Sequence, residues 1–305
     1  MRAATRGSPM ALWQTRFVVA ALQQREAGLE VDEVVVSTVG DRRLDLPISA
    51  LGGKGSFAKE VQHAVLDGRA DIAVHSGKDL PARTPDGLVV AAVLERHDPR
   101  DALIGSTLDG LRSGAVVATG SPRRRVQLAQ VRPDLRFAEL RGNVGTRLSR
   151  VAEFDALVLA AAGLDRLGRA DVIAERLDPA IMVPQVAQGV LAIECRVDDA
   201  ATRASLAAID HVATRALFEA ERSFLIALGG DCDLPAGAHA VSLGGGAIRL
   251  EGVLGSPDGR SLARAQVEGD DGPMLGARLL ERLNAPAGSG GGAATDAGPV
   301  RQLRP

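Results

Sequence analysis

The chain has 305 residues, of which 46% are hydrophobic and 24% charged, with a formal net charge of −2. That length corresponds to about two to three domains with sizeable cores, no run of about 18 apolar residues marks a membrane span, and a near-neutral balance with 2% aromatic residues argues against a nucleic-acid partner. Two cysteines far apart make no disulfide framework, and MRAATRGSPMALWQTR has no apolar signal core, so a soluble cytoplasmic protein is expected.

In chain order, the first helix signal is SPMALWQTRFVVAALQQREAG, where Ser8 suits an N-cap and Pro9 the first helical position. VDEVVVSTV (31–39), ADIAVHS (70–76) and GLVVAAVL (87–94) are rich in β-branched residues and predict strands. Between the first two, FAKEVQHAVLDG places Phe57, Val61, Ala64 and Val65 on one helical face. The alternation resumes after residue 100: ALIGS, GAVVATG and FDALVLAAAG read as strands, SPRRRVQLAQV and NVGTRLSRVAE as helices begun by Ser121-Pro122 and by Asn143. VLAIECRV (190–197) is a buried-strand run with a helix near 200–209. Alternation of this kind predicts α/β domains on largely parallel sheets. Past residue 212, ATRALFEAERSFLIAL is an amphipathic helix, followed by the loop GGDCDLPAG, strands in AHAVSL, AIRLEGVL and SLARAQVEG, and a last helix MLGARLLERL, an order that predicts a small α+β domain. The Gly/Ala/Pro-rich tail 286–305 is predicted to be disordered.

Basic residues gather where helices start. Arg6 precedes the Ser8 cap, Arg123 and Arg124 follow the Ser121 cap, Arg141 precedes Asn143, and Arg147 lies one turn further on. A helix N-terminus already carries a positive dipole end, so cations there are unfavourable until an anion joins them; N–H donors and guanidinium forks then converge on it. Three such places suit a ligand with several carboxylates or phosphates, although solvated helix starts with the side chains bent away would also account for them. The run ADIAVHSGKDLP ends a strand and turns through Gly77-Lys78-Asp79, at the strand end where open α/β sheets bind ligands. Asp79 there suits a developing cation and Lys78 an anion; a surface turn with a salt bridge is the plainer reading. LGGKGSFAKE (51–60) carries Lys54 and Lys59 but lacks the P-loop pattern, and fits a basic flap better. The five histidines show no metal-ligand spacing and no C-x-x-C exists, so no metal is expected. Cys195 reads as a buried small hydrophobe. Cys232, between Asp231 and Asp233, should hold its proton tightly. That disfavours a catalytic nucleophile and suits a thiol that captures a strong electrophile once, or an incidental loop cysteine.

ATRGSPMALWQ, KGSFAKE, DIAVHSGKDLP, GSPRRRVQL, LRGNVGTRL, AAGLDRLG, QGVLAIECR and CDLPAG follow one another between residues 3 and 237. Together they resemble the porphobilinogen deaminase (hydroxymethylbilane synthase) family. The resemblance implies two α/β domains like the lobes of a solute-binding protein plus a small α+β C-terminal domain: 1–94 with 192–212, then 95–191, then 213–285. It implies a transferase of heme biosynthesis that joins four porphobilinogens head to tail into hydroxymethylbilane, releasing ammonia, on a dipyrromethane cofactor tied by a thioether to Cys232. The catalytic carboxylate matches Asp79. Cofactor-binding positions match Lys78, Thr119, Ser121, Arg123, Arg124 and Arg147; substrate-binding positions match Arg6, Ser8, Gln14, Arg141, Arg166 and Gln188; Lys54, Phe57 and Lys59 fall on the flap. A cytoplasmic monomer is implied, with no nucleic-acid or membrane partner. The implied chemistry agrees with the residues: each substrate brings acetate and propionate arms, so the growing chain is a polyanion suited to arginines. The electrophile left by ammonia loss would also explain an unactivated thiol as an anchor. Four positions depart from the family pattern: Asp231 inside the usual Gly-Gly-Cys, Gly77 for a larger residue, Pro122 before the arginine pair, and Ala187 for a usual glycine. The rival reading, a two-lobed cytoplasmic anion-binding protein without catalysis, accounts for the arginines but gives Cys232 no role.

Overall fold

The structure is a computed structural model that describes residues 1–37, 58–229, 234–256 and 258–285. Lys54, Phe57, Asp231, Cys232 and the tail 286–305 lie outside the described residues. The strands begin with β1 (Arg2–Arg6), β2 (Asp32–Val36), β3 (Ile72–Ser76) and β4 (Leu88–Val93). They continue with β5 (Asp101–Ile104), β6 (Val116–Ala118), β7 (Arg136–Ala138), β8 (Ala156–Ala160) and β9 (Ile173–Arg176). Last come β10 (Leu191–Arg196), β11 (Ala236–Gly244), β12 (Ala247–Gly255) and β13 (Leu262–Gly269). They form two five-stranded sheets, ordered β2-β1-β3-β10-β4 and β7-β6-β8-β5-β9, and a three-stranded sheet β11-β12-β13. The fold is thus mixed α/β with a small third sheet.

The two larger sheets share one plan. In each, three strands are parallel (β2, β1, β3 and β7, β6, β8), and the fourth runs antiparallel to both of its neighbours. The sheets are therefore less parallel than the alternation predicts. The cause is the pair of crossings between them: β5 enters the second sheet as the chain leaves the first, and β10 enters the first as the chain returns. Each inserts against the local direction.

Helices connect the parallel strands as the sequence signals require. Helix α1 (Pro9–Arg25) starts where Ser8 Oγ accepts the Ala11 N–H at 3.3 Å, and it buries Gln14, Thr15, Val18 and Leu22. Helix α2 (Lys59–Leu66) buries Val61, Ala64 and Val65, the predicted apolar face. In the second lobe α3 (Pro122–Val131) follows β6 and α4 (Val144–Leu148) follows β7. The apolar run predicted as one strand over FDALVLAAAG divides: β8 ends at Ala160 and α5 (Ala161–Arg166) begins. A short helix α6 (Ala200–Ala207) follows β10.

Helices α7 (Val212–Ala227) and α8 (Gly272–Asn284) cover the antiparallel third sheet. A Cβ on Gly276 would run into the backbone at Ser223 and Phe224, so this glycine lets the helices meet at backbone contact. Their core, with Phe218, Phe224, Leu275 and Leu279, continues into Leu80, Val93, Val186, Ala187 and Val190 without a break. Segment 184–190, a strap between the second lobe and β10, is thereby packed between the first sheet and the third. Cys195 is fully buried in the first lobe, and burial pushes its thiol up to about 11, as befits a packing residue. Among the described residues no helix is long and apolar enough to cross a membrane.

Candidate functional site

At the end of β3 the chain makes one 3-10 turn, Gly77–Asp79. The turn is held from two sides. Gly77 N–H donates to Val190 O at 2.9 Å, and Gln185 Nε2 donates to Lys78 O at 3.1 Å, both from the strap. From α1, Gln14 Nε2 donates to Ser76 Oγ at 2.8 Å. Lys78 therefore stands among Asp79, Arg124, Asp101 and Arg147. Removal from water lowers its pKa to about 8, although a part of the residue stays accessible; Asp79 and Asp101 oppose the shift, while Arg124 and Arg147 add to it.

Asp101, at the start of β5, is the centre of the basic cluster. Arg124 gives it Nε at 3.0 Å and Nη2 at 2.7 Å, and Arg123 gives it Nη2 at 2.8 Å. Gln188 Nε2 adds a bond at 3.0 Å. Burial by itself would raise the Asp101 carboxyl, but the two guanidiniums outweigh it and hold it at about 2. Arg123 Nη1 also reaches Val183 O at 2.6 Å, and Arg124 Nη1 reaches Val158 O at 2.8 Å. The paired arginines are thus built into the interior as a shared clamp on one carboxylate. Their sequence setting, a helix start, suggested open forks; the fork of Arg124 is instead fully engaged by protein. One carboxylate against two guanidiniums leaves positive charge, and Arg124 exerts it on Lys78 and Arg147.

Arg147, in α4, donates Nε to Gly142 O at 2.7 Å. Burial first, then the charges of Arg124 and Arg141, lower it to about 10, with Asp79 opposing. Asn143 caps this helix as predicted, accepting the Thr146 N–H at 2.9 Å. Ser121 sits at the N-cap of α3 but its hydroxyl makes no cap bond; its N–H donates to Thr119 Oγ1 at 3.2 Å, with Thr119 buried. Pro122 occupies the first helical position, where its missing N–H costs nothing. Arg166, at the end of α5, donates Nη2 to Gly189 O at 2.7 Å and lies over the Trp13 ring at 6.0 Å. Burial lowers it to about 10.

The structure thus brings Lys78, Asp79, Thr119, Ser121, Arg123, Arg124, Arg141, Arg147 and Gln188 into one neighbourhood, with Gln14 supporting it from behind. Arg6 ends β1 and Ser8 caps α1, both at the carboxyl edge of the first sheet. Lys59 is exposed at the start of α2. Strand β11 begins against the cluster: a Cβ on Gly237 would lie 2.8 Å from Arg123 Cδ and 2.6 Å from Pro184 O.

Four residues of the site escape sequence reading: Asp101, Gln185, Arg96 and Glu221. Glu221, fully buried on α7, accepts Arg96 Nη1 at 2.6 Å, Ala187 N–H at 2.6 Å and Ala240 N–H at 2.8 Å. Burial would raise its carboxyl; Arg96 and His239 reverse this and lower it. Arg96 Nε also donates to Gln188 O at 2.9 Å. The one available signal was spacing: of the two glutamates in ATRALFEAERSFLIAL, Glu221 stands three residues from Phe218 and three from Phe224, on their helical face, where a buried acid needs a partner.

Among the described residues, buried atoms without a hydrogen-bond partner include Arg123 Nε, Arg166 Nε and Gln188 Oε1, all in or beside this cluster. Two free N–H donors beside excess positive charge fit a polycarboxylate group. Among the described residues no group of three or more His, Cys, Asp or Glu could hold a metal ion.

Family models match nearly the whole chain. One described as "Porphobilinogen deaminase, dipyromethane cofactor binding domain" matches residues 1–204, and one described as "Porphobilinogen deaminase, C-terminal domain" matches residues 216–285. Solved structures similar to this chain include a nutrient-binding protein from Burkholderia cenocepacia bound to methionine, at 13% identity over 68% of this chain and 89% of that one, with TM-score 0.42. A TRAP periplasmic solute-binding protein from Ralstonia eutropha H16 with bound (S)-2-acetolactate is 13% identical over 73% and 79%, with TM-score 0.40. YhfZ from Shigella flexneri is 16% identical over 74% and 95%, with TM-score 0.38.

Proposed function

Because the chain belongs to the porphobilinogen deaminase family, we infer that it is a transferase that joins porphobilinogen units into hydroxymethylbilane in tetrapyrrole biosynthesis, and we propose that the cluster around Lys78 and Asp79 is where it does so. The observation that carries the assignment is electrostatic. Lys78 and Arg147 are both lowered by burial and by neighbouring cations, so the cluster's own anions, Asp79 and Asp101, do not balance its cations. Porphobilinogen supplies the missing anions, as an acetate and a propionate on every ring.

The roles follow from position. Arg147 and Lys78 take carboxylates directly, with Arg141, Arg6 and Ser8 extending the anion-binding surface along the helix starts. Arg124, locked to Asp101, contributes charge at a fixed place rather than a free fork. Thr119, Ser121 and Arg123 line the cofactor's side of the cluster, and Arg166 and Gln188 the strap side. Lys54, Phe57 and Lys59 are assigned to a basic flap on the family resemblance alone. Asp79, one residue from Lys78 on a turn fixed at both ends, holds the positive charge that grows on a substrate as its ammonia departs. A fixed carboxylate in place of mobile water stabilises that charge without reorganisation at the moment of reaction.

The dipyrromethane cofactor fits the residues present: the free Arg123 and Arg166 N–H groups and the excess cations match its carboxylates, and β11, just after Cys232, starts at Arg123. When bound, it supplies the pyrrole carbon to which the first substrate ring is joined. We propose Cys232 as its thioether anchor. Anchoring makes each later joining effectively intramolecular on one side. We further propose three domains, 1–94 with 192–212, 95–191 and 213–285, in a cytoplasmic monomer without a nucleic-acid partner. The two cysteines, the net charge of −2 and the 2% aromatic content support that setting.

Intact-mass measurement tests the anchor. The purified wild-type chain should exceed its polypeptide mass by one dipyrromethane, and Cys232→Ser should match the polypeptide alone. A wild type without an adduct, or an adduct that survives in Cys232→Ser, overturns the assignment.

A further inference from the structure

Gly77 and Ala187 face each other across the base of the Lys78–Asp79 turn. Ala187 is the one non-glycine among the described residues with positive φ, at +58°. Residues with a Cβ rarely adopt this conformation, and it persists only where the surroundings over-determine it. Here they do. Ala187 is fully buried, its N–H donates to Glu221 Oε2 at 2.6 Å, and its carbonyl accepts the Val190 N–H at 3.2 Å. Glu221 cannot drift, because Arg96 and the Ala240 N–H hold its other oxygen.

The strained residue leans on the turn. A Cβ on Gly77 would lie 3.0 Å from the Ala187 methyl, 3.2 Å from the Ala187 carbonyl oxygen and 3.3 Å from Phe218 Cε2. The space that a side chain at position 77 would need is therefore closed by three groups at similar distance, of which the methyl at position 187 is the nearest. The φ of Gly77 itself is not positive, so its backbone does not require glycine; the neighbour does. Gly77 N–H and Lys78 O are also tied to the strap through Val190 and Gln185, so a displacement of one is passed to the other.

We propose that Ala187 is a positioning residue for the reaction: its methyl, held in a left-handed strap by Glu221, seats against Gly77 and sets where Lys78 and Asp79 stand, so that positions 77 and 187 form a matched pair of which one carries a methyl. The proposal rests on the assignment of Lys78 and Asp79 to the site. It predicts a reversal of sign. Adding a methyl at 77 pushes the turn out while Ala187 is present. After Ala187→Gly, the strap keeps its conformation at no steric cost and the turn loses its stop, so the same added methyl restores it. The remaining contacts to the carbonyl and to Phe218 then need shifts of only a few tenths of an ångström.

The test measures turnover and pH profiles of the holoenzyme for Gly77→Ala, Ala187→Gly, the double variant and Asp79→Asn. Coupling energies between touching residues correspond to roughly 2-fold to 100-fold effects. We expect Gly77→Ala to lower kcat about tenfold, Ala187→Gly to lower it about threefold, and the double variant to exceed both. The alkaline limb of kcat/KM should move in each single variant and return in the double one, a readout that a merely structural role would leave in place. If Gly77→Ala does not fold, the comparison of Ala187→Gly with the double variant decides alone, since Ala187→Gly relieves strain. A double variant no faster than Ala187→Gly, or a limb unmoved in every variant, overturns the pairing. Asp79→Asn separates the premise: wild-type turnover there removes the site assignment, whereas a dead Asp79→Asn with no sign reversal removes the pairing only.

Discussion

Lys78 is the residue on which the site's behaviour with pH turns. Burial and Arg124 bring its pKa down to about 8 despite Asp79, so in the free enzyme its charge is lost as pH rises through that value. An anionic substrate then finds a weaker site. We expect kcat/KM to fall above about pH 8 and Lys78→Arg, whose charge persists, to shift that limb upward or remove it, as a pH-rate series would show. The stability linkage has the opposite direction. The unfolded chain keeps this proton to higher pH than the folded one, so Lys78 contributes a gain in stability as pH rises from about 8 toward the ordinary lysine value, and a constant cost below it. At this scale the sequence was partly legible. Ser8 and Asn143 cap as their side chains predict, and the turn at Gly77-Lys78-Asp79 stands at a strand end. Asp101 was not legible, because a buried partner is chosen by three-dimensional proximity: its ligands Arg123 and Gln188 are 22 and 87 positions away.

Among elements, the crossing of α7 and α8 is the most demanding. The helices approach until Gly276 touches the backbone at Ser223 and Phe224, and Ser223 Oγ accepts the Gly276 N–H at 2.8 Å. Neither partner is a flexible side chain that could give way. We expect Gly276→Ala to destabilise the chain by about 3 kcal/mol or more, as overpacking against backbone does, measurable as a lower midpoint in urea. The strands that sequence reading missed are β1, β7 and β9, with the sequences RAATR, RFA and IAER. They are three to five residues long and carry arginines, so neither alternation nor apolar content distinguishes them. FDALVLAAAG failed for the reverse reason. An unbroken apolar run is buried whether extended or helical, and only its packing decides that the helix begins at Ala161.

For the whole molecule, alternation of strand and helix signals made the α/β class and the late α+β segment legible, while the antiparallel strand of each large sheet was not. Strand direction depends on where the chain enters a sheet, which no local pattern records. The second sheet's region and the strap are joined through buried charge, as Arg123, Arg124 and Gln188 all reach Asp101. Asp101→Asn would leave Arg123 and Arg124 sharing no anion, and we expect a loss of about 3–5 kcal/mol in denaturant unfolding. Since Asp101 is held at about 2, its contribution is present above the ordinary aspartate range and disappears as pH falls from there toward about 2. The placement of β10 between β3 and β4 also imposes a timetable on a nascent chain. Leu88–Val93 leaves the ribosome with no strand to pair with until Leu191–Arg196 emerges, about a hundred residues later, or roughly 5 to 20 s at ordinary elongation rates. During that interval the second lobe can close on itself, whereas the first keeps an open seam along β3. The half of the protein that is made first is therefore the one completed later, and the seam is sealed only when β10 has been synthesised and laid between β3 and β4.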